Sequence, residues 1–345
     1  MNLLTDFHHN SLLRSIVLLF ENRLGINVYR PIGLDWYNEG YWGINNSIDT
    51  AKQFLDLESV VLADQTPALN IVNSIENEIY KIYDPGNAST HKAISLNAFR
   101  DMKFDYVIAS IPQHIPLYEK LIAKYQPNAK LIVQIGNNWP SNILQGYNVL
   151  ASVKKDSLNG CNAVYYHQEF DTSIFKPSVL THSRKISSYI NILQNMPHGW
   201  NDFVKLEIIL DGVSSLKSYG GQCRDGNRAG PINLSASMQG DDFVFHVKDG
   251  GDGYGHILYN AYASGRPTIV RSSFYKDCLG YELLNDESSI DLDKMSIDEA
   301  AQKIIALFSD KESLNLMSEN AYKTFKNNVD FEYDAEKVRS WIENI

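Results

Sequence analysis

The amino-acid sequence predicts an α/β protein built from two Rossmann-like domains that face each other across a cleft. Short, nearly continuous apolar runs alternate with amphipathic segments along 345 residues. Apolar runs of this kind are typical of parallel strands whose sheet is covered by helices on both faces. Since one domain usually has roughly 100 to 200 residues, a chain of this length accommodates two.

The first half of the chain follows this alternation from its start. An apolar run at residues 2–6 precedes a helical pattern that ends at Gly25, and residues 26–30 form the next strand. A strand at 105–110, a helix at 116–125 and strands at 129–135, 149–153 and 162–166 follow. The turn after the first strand contains no glycine, so the fingerprint of a nicotinamide-dependent dehydrogenase is absent there.

The second half repeats the pattern after a polar stretch at 177–183. Strands are predicted at 186–193, 215–219, 243–247 and 267–270, with helices at 202–210 and near 297–308 and 314–325. A last amphipathic segment carries Val338, Trp341 and Ile345. We therefore expect one domain at 1–180, a second at 181–330, and a C-terminal helix at 331–345 that crosses back to the first domain.

Composition and charge exclude several classes of protein. A hydrophobic content of 44% with 21% charged residues is ordinary for a globular protein. The net charge of −10 disfavours DNA as a partner, since it provides no general attraction for a polyanion. Cys161, Cys223 and Cys278 lie far apart, which predicts reduced thiols in a cytoplasmic protein rather than a disulfide framework or a zinc site. The apolar stretch at 12–20 contains Arg14 and is too short to span a membrane.

The densest functional signal is the stretch DGGDGYGHILYNAYASGRPTIV at 249–270. Its glycines at 250, 251, 253 and 255 lie between a predicted strand and a predicted helix. Glycines let the backbone approach a ligand closely, and the N–H groups at a helix start favour an anion. The stretch therefore predicts a phosphate or diphosphate site, with a tight turn that only requires positive φ angles as the alternative.

This stretch resembles the donor-binding motif of the retaining, GT-B-fold glycosyltransferases, the family of sucrose synthases and bacterial mannosyltransferases and glucosyltransferases. The positions in register are Asp252, Gly253, Tyr254, Gly255, Ala261, Ala263, Gly265 and Pro267. The segments 166–177 and 216–221, and the helix through Trp341, resemble other parts of the same family. The resemblance covers the second domain well and the first only in its architecture.

The resemblance implies a nucleoside-diphosphate sugar as substrate, with a UDP-sugar as the expected donor, and neither a metal ion nor a further cofactor. Asp252 would act on the transferred sugar as a catalytic residue. The implied donor-binding residues are Tyr219 and Gly220 beside the base, and Lys248, Gly253, Tyr254, Gly255, His256 and Asn260.

Three departures from the family pattern concern the donor site. Asn260 stands where the family has a second acid that holds the ribose diol. A hydrogen bond from a hydroxyl to a neutral amide contributes about 0.5 to 1.5 kcal/mol, whereas one to a charged carboxylate contributes about 1.5 to 3 kcal/mol. Asp252 is shorter than the usual Glu. No Arg and Lys pair follows the first strand of the second domain, so Lys248 is the candidate substitute, with Arg224 or Arg228 behind it. A solvated turn lysine is the alternative for Lys248.

Candidate acceptor-side residues follow the strands of the first domain. His8, His9 and Asn10 lie between the first strand and its helix, where ligands of open α/β sheets bind. The alternatives are that the two histidines are ordinary turn residues and that Asn10 or Ser11 caps the helix. His114 follows the strand DYVIAS, and the resemblance implies that it contacts the transferred sugar. Trp139 follows a later strand at the same sheet edge. The aromatic run at 36–42 is either a packed loop or a platform on which a ring-bearing acceptor stacks.

These observations predict a retaining glycosyltransferase in which the acceptor hydroxyl attacks from the face that the leaving diphosphate vacates. A non-catalytic nucleotide-sugar binding protein of the same fold is the alternative, because of Asn260 and the missing cation pair. An epimerase would need an acid near the sugar C2 in the first domain, and none is evident. The expected acceptor is a glycan or a small molecule, and a modified DNA base is disfavoured by the net charge.

Overall fold

The computed structural model describes residues 1–6, 10–31, 71–75, 79–84, 89–94, 96–137, 141–153, 158, 160–228 and 230–345. The chain forms two compact units. The first unit contains Met1–Phe170 together with Phe331–Ile345, and the second contains Asp171–Asp330. The C-terminal segment thus belongs to the same unit as the N-terminal strands, and the division falls after Phe170.

The strands of the described residues are β1 (Asn2–Thr5), β2 (Asn27–Pro31), β3 (Ile71–Ile75), β4 (Ile79–Asp84), β5 (Ser89–Ile94), β6 (Tyr106–Ala109), β7 (Lys130–Ile135), β8 (Asn148–Ala151), β9 (Asn162–Tyr165), β10 (Lys185–Ser188), β11 (Ser215–Ser218), β12 (Phe243–Phe245), β13 (Thr268–Val270) and β14 (Ser289–Asp291). The first nine strands lie in the first unit and the last five in the second.

The α-helices are α1 (Asn10–Ile16), α2 (Leu96–Asp101), α3 (Ile115–Tyr125), α4 (Pro197–Ile209), α5 (Pro231–Gln239), α6 (His256–Ala263), α7 (Ile297–Ser309), α8 (Lys311–Asn328) and α9 (Phe331–Ile342). Helix α1 continues as a π-helical segment at Val17–Arg23, and a 3₁₀ turn at Pro112–His114 leads into α3. No helix of the described ranges has both the length and the apolar content that crossing a membrane requires.

The sheet of the first unit has the strand order β3-β4-β5-β2-β1-β6-β7-β8-β9. All its pairings are parallel except β3 with β4 and β4 with β5. The antiparallel extension at 71–94 was not predicted from the sequence. Strands β4 (IYKIYD) and β5 (STHKAI) mix charged or polar side chains with apolar ones, so they lack the continuous apolar runs by which the other strands are recognised.

Helices cover both faces of this sheet. Within β6, Val107 and Ala109 pack into a core that includes residues of α2 and α3, whereas Ile108 packs into a second core with α1 and the π-helical segment. Ala335, Val338 and Ile342 of α9 belong to that second core. Burial on both sides is the reason that strands such as β6 (YVIA) are continuous apolar runs.

The second unit contains a parallel sheet in the order β11-β10-β12-β13-β14. Phe243 and Phe245 of β12 pack against α4, α7 and α8, and Val244 packs on the other face with residues such as Tyr219 and Met238. Both units therefore have the doubly covered, Rossmann-like architecture that the sequence predicts.

Four elements of the second unit differ from the sequence prediction, and one of them, strand β14 at Ser289–Asp291, was not predicted at all. Strand β10 ends at Ser188 rather than at 193, because Ile192 has a left-handed backbone with φ of 53° and begins a 3₁₀ turn. Helix α4 begins at Pro197, five residues early, since proline suits a first helical position. Helix α5 was not predicted, because its sequence PINLSASMQ buries only Ser235 and Met238 and has no apolar stripe.

Candidate functional site

The glycine-rich turn connects the carboxyl end of β12 to the start of α6. Gly250, Gly251 and Gly255 all have positive φ angles, of 77°, 86° and 78°. A Cβ atom at Gly251 would lie 2.8 Å from the carbonyl oxygen of Phe274, so a larger residue would not fit there. The turn thus needs glycine for its own conformation, and it ends at the N-terminus of an eight-residue helix.

Asp252 lies in this turn between two basic side chains. Its Oδ2 is 2.8 Å from Nε2 of His246, and its Oδ1 is 2.7 Å from Nζ of Lys248. Burial by itself would raise the pKa of Asp252, but the hydrogen bonds and positive charges of His246 and Lys248 hold that pKa well below its usual range. The carboxylate is therefore ionised throughout the physiological pH range.

His246 belongs to this cluster and was not predicted from the sequence as a site residue. It immediately follows β12 and is 2% exposed. Since the carboxylate of Asp252 can only accept, Nε2 of His246 carries a hydrogen, while Nδ1 is buried without a hydrogen-bond partner in the described part of the chain. The sequence feature that could have indicated His246 is its position as the one polar residue in the apolar run FVFHV.

The three predicted substitute cations have different partners. Lys248 is ion-paired with Asp252 rather than simply solvated, and 36% of its side chain remains exposed. Arg224 is paired with Glu207 at 2.7 Å and with Asp225 at 3.2 Å. The guanidinium of Arg228 lies 4.1 Å from the centre of the Tyr219 ring, and no carboxylate of the described residues lies within salt-bridge distance of it.

Asn260 lies in α6 and is almost fully buried. Its Oδ1 atom has no hydrogen-bond partner among the described residues. A buried amide oxygen without a donor costs free energy, so such an atom calls for an explanation. A ligand hydroxyl would satisfy it.

Tyr254 packs in the interior rather than at the surface of the turn. Its ring stacks on that of Tyr259 with 4.2 Å between centroids, and it contacts the His256 ring edge to face at 4.9 Å. Gly253 is buried beside it. The aromatic position of the motif therefore anchors α6.

Asp249 connects the same turn to the start of α4. Its carboxylate accepts hydrogen bonds from the backbone N–H groups of His198 at 2.8 Å and Gly199 at 2.7 Å. A Cβ atom at Gly199 would lie 2.3 Å from the carbonyl oxygen of Val247, so the helix start and the glycine turn are in direct backbone contact. Asp249 thus caps α4, a role the sequence alone did not indicate.

A cavity of about 650 Å³ lies beside α5. Its lining includes Lys185, Tyr219, Asn227, Arg228, Asn233 and Ser237.

The Tyr219 ring stacks on the Tyr189 ring, with 5.7 Å between centroids and 25° between planes. Gly220 follows Tyr219 with φ of 145°, and a Cβ there would lie 2.8 Å from the carbonyl of Ile190. The volume of the cavity is within the range of small-molecule sites. Its wall includes the aromatic ring of Tyr219 and the cationic side chains of Lys185 and Arg228.

In the first unit, His114 is held by a buried carboxylate. Nδ1 of His114 lies 3.0 Å from Oδ2 of Asp6, and the backbone N–H of Ser110 donates to the same oxygen at 3.0 Å. The Ser110 hydroxyl donates to Oδ1 of Asp6. Asp6 and Ser110 each directly follow a strand, β1 and β6, and these strands are parallel neighbours. The sequence predicts His114 as a site residue but neither of its two partners, Asp6 and Ser110.

The other predicted acceptor-side residues lie mostly outside the described residues. His8, His9, Trp139 and the aromatic run at 36–42 are among them. Asn10 is the first residue of α1, and its side chain is not among those that the structure describes. Within the described ranges, no three His, Cys, Asp or Glu side chains come together as a metal site.

No model of a known protein family matches the sequence, and no curated protein matches it either. Solved structures do match over the whole length. TarM of S. aureus superimposes with a TM-score of 0.65 at 11% identity, covering 99% of this chain and 98% of that one. HepE of Anabaena, solved with UDP and glucose, has a TM-score of 0.59 at 10% identity and full coverage of both chains. A glycosyltransferase of Rickettsia africae has a TM-score of 0.57 at 12% identity, covering 100% of this chain and 98% of that one.

At such low identity the similarity establishes the fold and not the activity. The two Rossmann-like units are those of the GT-B glycosyltransferase fold, so the prediction of an α/β protein with two Rossmann-like domains is confirmed.

Proposed function

We propose that this protein is a retaining glycosyltransferase that transfers a sugar from a nucleoside-diphosphate sugar to a hydroxyl group. The observation that carries the proposal is the ionised Asp252, held between Lys248 and His246 in the glycine turn that opens α6. A carboxylate and an ammonium beside a helix N-terminus present both acceptors for sugar hydroxyls and donors for a diphosphate.

The donor is proposed to lie along the carboxyl ends of the second unit's strands. The diphosphate would lie at the backbone N–H groups of Gly253, Gly255 and His256, with Lys248 as the counter-charge. A ribose hydroxyl would donate to the buried Oδ1 of Asn260, which has no partner in the described chain. The base would enter the cavity beside Tyr219, where the ring and the Arg228 guanidinium offer stacking surfaces.

UDP is the proposed nucleotide. HepE has been solved with UDP-glucose, and TarM with UDP and alpha-GlcNAc-glycerol. Both share the fold of this chain over nearly its full length, with TM-scores of 0.57 and 0.64. Fold alone does not determine substrate, so the nucleotide is part of the proposal and of its test.

The proposed reaction breaks the bond between the sugar C1 and the diphosphate oxygen, and the bonding electrons leave with the diphosphate. The acceptor oxygen bonds to C1 on the same face, and its proton passes to the leaving phosphate oxygen. Lys248 and the N-terminus of α6 stabilise the charge that develops there, without a metal ion or further cofactor. His114 is proposed to contact a hydroxyl of the transferred sugar, and Asp252 another.

A non-catalytic nucleotide-sugar binding protein is the second candidate. One observation favours it: Lys248 is already paired with Asp252, and the other two candidate cations are paired with carboxylates or placed over an aromatic ring. Such a protein would bind the donor and leave its C1–O bond intact. The acceptor is proposed to be a glycan or small molecule in the cytoplasm, since a net charge of −10 disfavours DNA.

Thermal unfolding against a panel of UDP-, GDP-, ADP- and CMP-sugars tests donor binding. A donor at 100 times its Kd stabilises the folded state by about 2.7 kcal/mol. We expect this stabilisation with UDP-sugars, its loss in Asp252→Ala, and its retention in Asp286→Ala, which alters an exposed aspartate of the same unit. Stabilisation by none of the donors would refute the proposal.

Slow hydrolysis of the bound donor separates the two candidates. The enzyme should release free sugar in the absence of acceptor, and proton NMR of the first-formed anomer should show retention. Binding without any release of sugar would favour the non-catalytic protein, and the opposite anomer would contradict the retaining mechanism.

A further inference from the structure

A buried hydrogen-bond network connects two residues in the wall of the cavity beside α5. At its centre is Asp241, which is fully buried. Its Oδ1 accepts from the Ser187 hydroxyl at 2.7 Å and from the Lys185 ammonium at 2.9 Å, and its Oδ2 accepts from the Tyr189 hydroxyl at 2.5 Å. The Tyr189 oxygen also lies 3.0 Å from the hydroxyl oxygen of Ser237. The network thus ends at Lys185 and Ser237, and both line the cavity.

The fold of the second unit brings these side chains together. Lys185, Ser187 and Tyr189 alternate along β10 and the position after it, so they lie on one face of the sheet. Helix α5 covers that face, since its Met238 packs in one core with Tyr189. Asp241 comes two positions before β12, which is the parallel neighbour of β10.

The hydrogens of the network have fixed directions. Burial raises the pKa of Asp241, but the charge of Lys185 opposes that rise, and three donors favour the ionised form. An ionised carboxylate can only accept, so Tyr189 gives its single hydrogen to Asp241. Burial, and then the charge of Asp241, raise the pKa of Tyr189, so the phenol keeps this hydrogen. The contact between Tyr189 and Ser237 must therefore use the hydrogen of Ser237.

The two ends of the network consequently present opposite hydrogen-bonding groups to the cavity. The hydroxyl oxygen of Ser237 accepts from no donor among the described residues, so it offers an acceptor. The Lys185 ammonium has three hydrogens, of which Asp241 takes one, and it offers donors. Because Asp241 compensates the charge of Lys185, the pair suits an uncharged carbonyl oxygen and does not require an anion.

We infer that this wall selects uracil over cytosine, with Lys185 donating to the base O4 and Ser237 accepting from the base N3–H. Uracil presents an acceptor at O4 beside a donor at N3, whereas cytosine presents an amino group beside an unprotonated N3. Guanine shares the uracil pattern and adenine the cytosine pattern. That a base occupies this cavity rests on the proposed function, but the directions of the hydrogens do not.

Calorimetric titration of the full chain with UDP and with CDP near neutral pH tests the selection, because the two nucleotides differ only at these atoms of the base. UDP should bind about tenfold more tightly or better, since CDP reverses both contacts. Equal affinities would overturn the inference and leave the proposed transfer standing. Selective binding of UDP without release of sugar from a UDP-sugar would contradict the transfer and leave the inference standing, and binding of neither nucleotide would overturn both.

Tyr189→Phe tests the direction of the hydrogens. Phenylalanine keeps the ring that stacks on Tyr219, and the loss of the phenol oxygen frees the Ser237 hydrogen to point into the cavity. Ser237 can then donate to N3 of cytosine. CDP affinity should rise about threefold or more while UDP affinity does not rise, a gain that a merely structural role of Tyr189 would not produce. An unchanged ratio of UDP to CDP affinity would overturn the assigned directions.

The matched control for this variant is Tyr262→Phe. The Tyr262 hydroxyl is also buried in the second unit, but it contacts Ser288. The ratio of UDP to CDP affinity should stay at the wild-type value.

Ser237→Ala and Lys185→Met remove the two ends of the network separately. Each should lower UDP affinity about threefold or more and CDP affinity less, so that the preference for UDP falls. Lys217→Met is the control for Lys185→Met, because Lys217 is ion-paired with Asp225 at 3.2 Å and does not line the cavity. Ser237 is only half-buried, so Ser237→Ala tests the inference even if Lys185→Met does not fold. A full preference for UDP in folded Ser237→Ala would overturn the role of Ser237.

Discussion

The ammonium of Lys248 lies 2.7 Å from Oδ1 of Asp252, and the two residues are four positions apart across a glycine turn rather than along a helix. The pair places opposite charges at the start of α6. About a third of the Lys248 side chain is exposed, since its exposed fraction is 36%. Variants of this pair therefore test its contribution to stability and its proposed contribution to donor binding.

Lys248→Ala should weaken donor binding in addition to destabilising the fold. Loss of the ammonium leaves the mostly buried Asp252 carboxylate with His246 as its partner among the described residues, which costs about 1.5 to 3 kcal/mol. The loss of a charged donor to a diphosphate should lower donor affinity about tenfold or more. Titration calorimetry with UDP-sugar measures this, and Lys248→Arg, which keeps the charge, is the control. Unchanged affinity in Lys248→Ala would remove Lys248 from the donor site.

Asn260→Ala should reduce donor affinity with little effect on stability. The substitution removes no hydrogen bond of Oδ1, because this buried atom has no partner among the described residues. The proposed hydrogen bond from a ribose hydroxyl would contribute about 0.5 to 1.5 kcal/mol to the free energy of donor binding. A donor with a deoxyribose that lacks the contacting hydroxyl should bind the wild type and the variant equally. If the variant still discriminates between the two donors, the ribose contact lies elsewhere.

Asp334→Asn should destabilise the protein in a pH-dependent way. Burial raises the pKa of Asp334, but hydrogen bonds and charge from His167 and Lys337 outweigh it and hold the pKa below its ordinary value of 3.8. The folded pKa is thus below the unfolded one, so the stabilisation is complete above pH 3.8 and is lost as the pH falls through the folded pKa. We expect a loss of about 1.5 to 3 kcal/mol at pH 7.

Urea denaturation at several pH values measures this difference. The loss should be smaller at pH 3 than at pH 6. Glu336→Gln, which alters an exposed carboxylate of the same helix, should change little at any of these values. A difference that grows toward pH 3 would contradict the assigned cause.

Gly199→Ala should lower the melting temperature. The new Cβ would lie 2.3 Å from the carbonyl oxygen of Val247, so the start of α4 must move away from the glycine turn. Overpacking of this kind costs about 1 to 3 kcal/mol. Gly240→Ala is the control, because φ there is −83° and the nearest atom would be 3.4 Å away. Equal melting temperatures for Gly199→Ala and wild type would show that the two segments separate easily.

Local patterns in the sequence predicted most of the fold. The strands β6, β7 and β12 were recognisable because strands buried on both faces have nearly continuous apolar runs. The strands β3 to β5 and helix α5 were missed, since charged or small polar residues interrupt their apolar patterns. Strand β10 was predicted too long because a left-handed residue, Ile192, has no signature in hydrophobicity.

The sequence by itself determined the alternation of strands and helices and the glycine turn, because each depends on residues close together in the chain. The family resemblance of that turn and of the strand ends then identified Asp252, Asn260 and His114 as candidates. Only the tertiary structure decided their partners. Asp6 and His114 are 108 positions apart and meet because β1 and β6 are neighbouring strands. His246 faces Asp252 because the turn after β12 folds back on the strand end. Contacts of this kind depend on strand order and backbone direction, which hydrophobic periodicity does not encode.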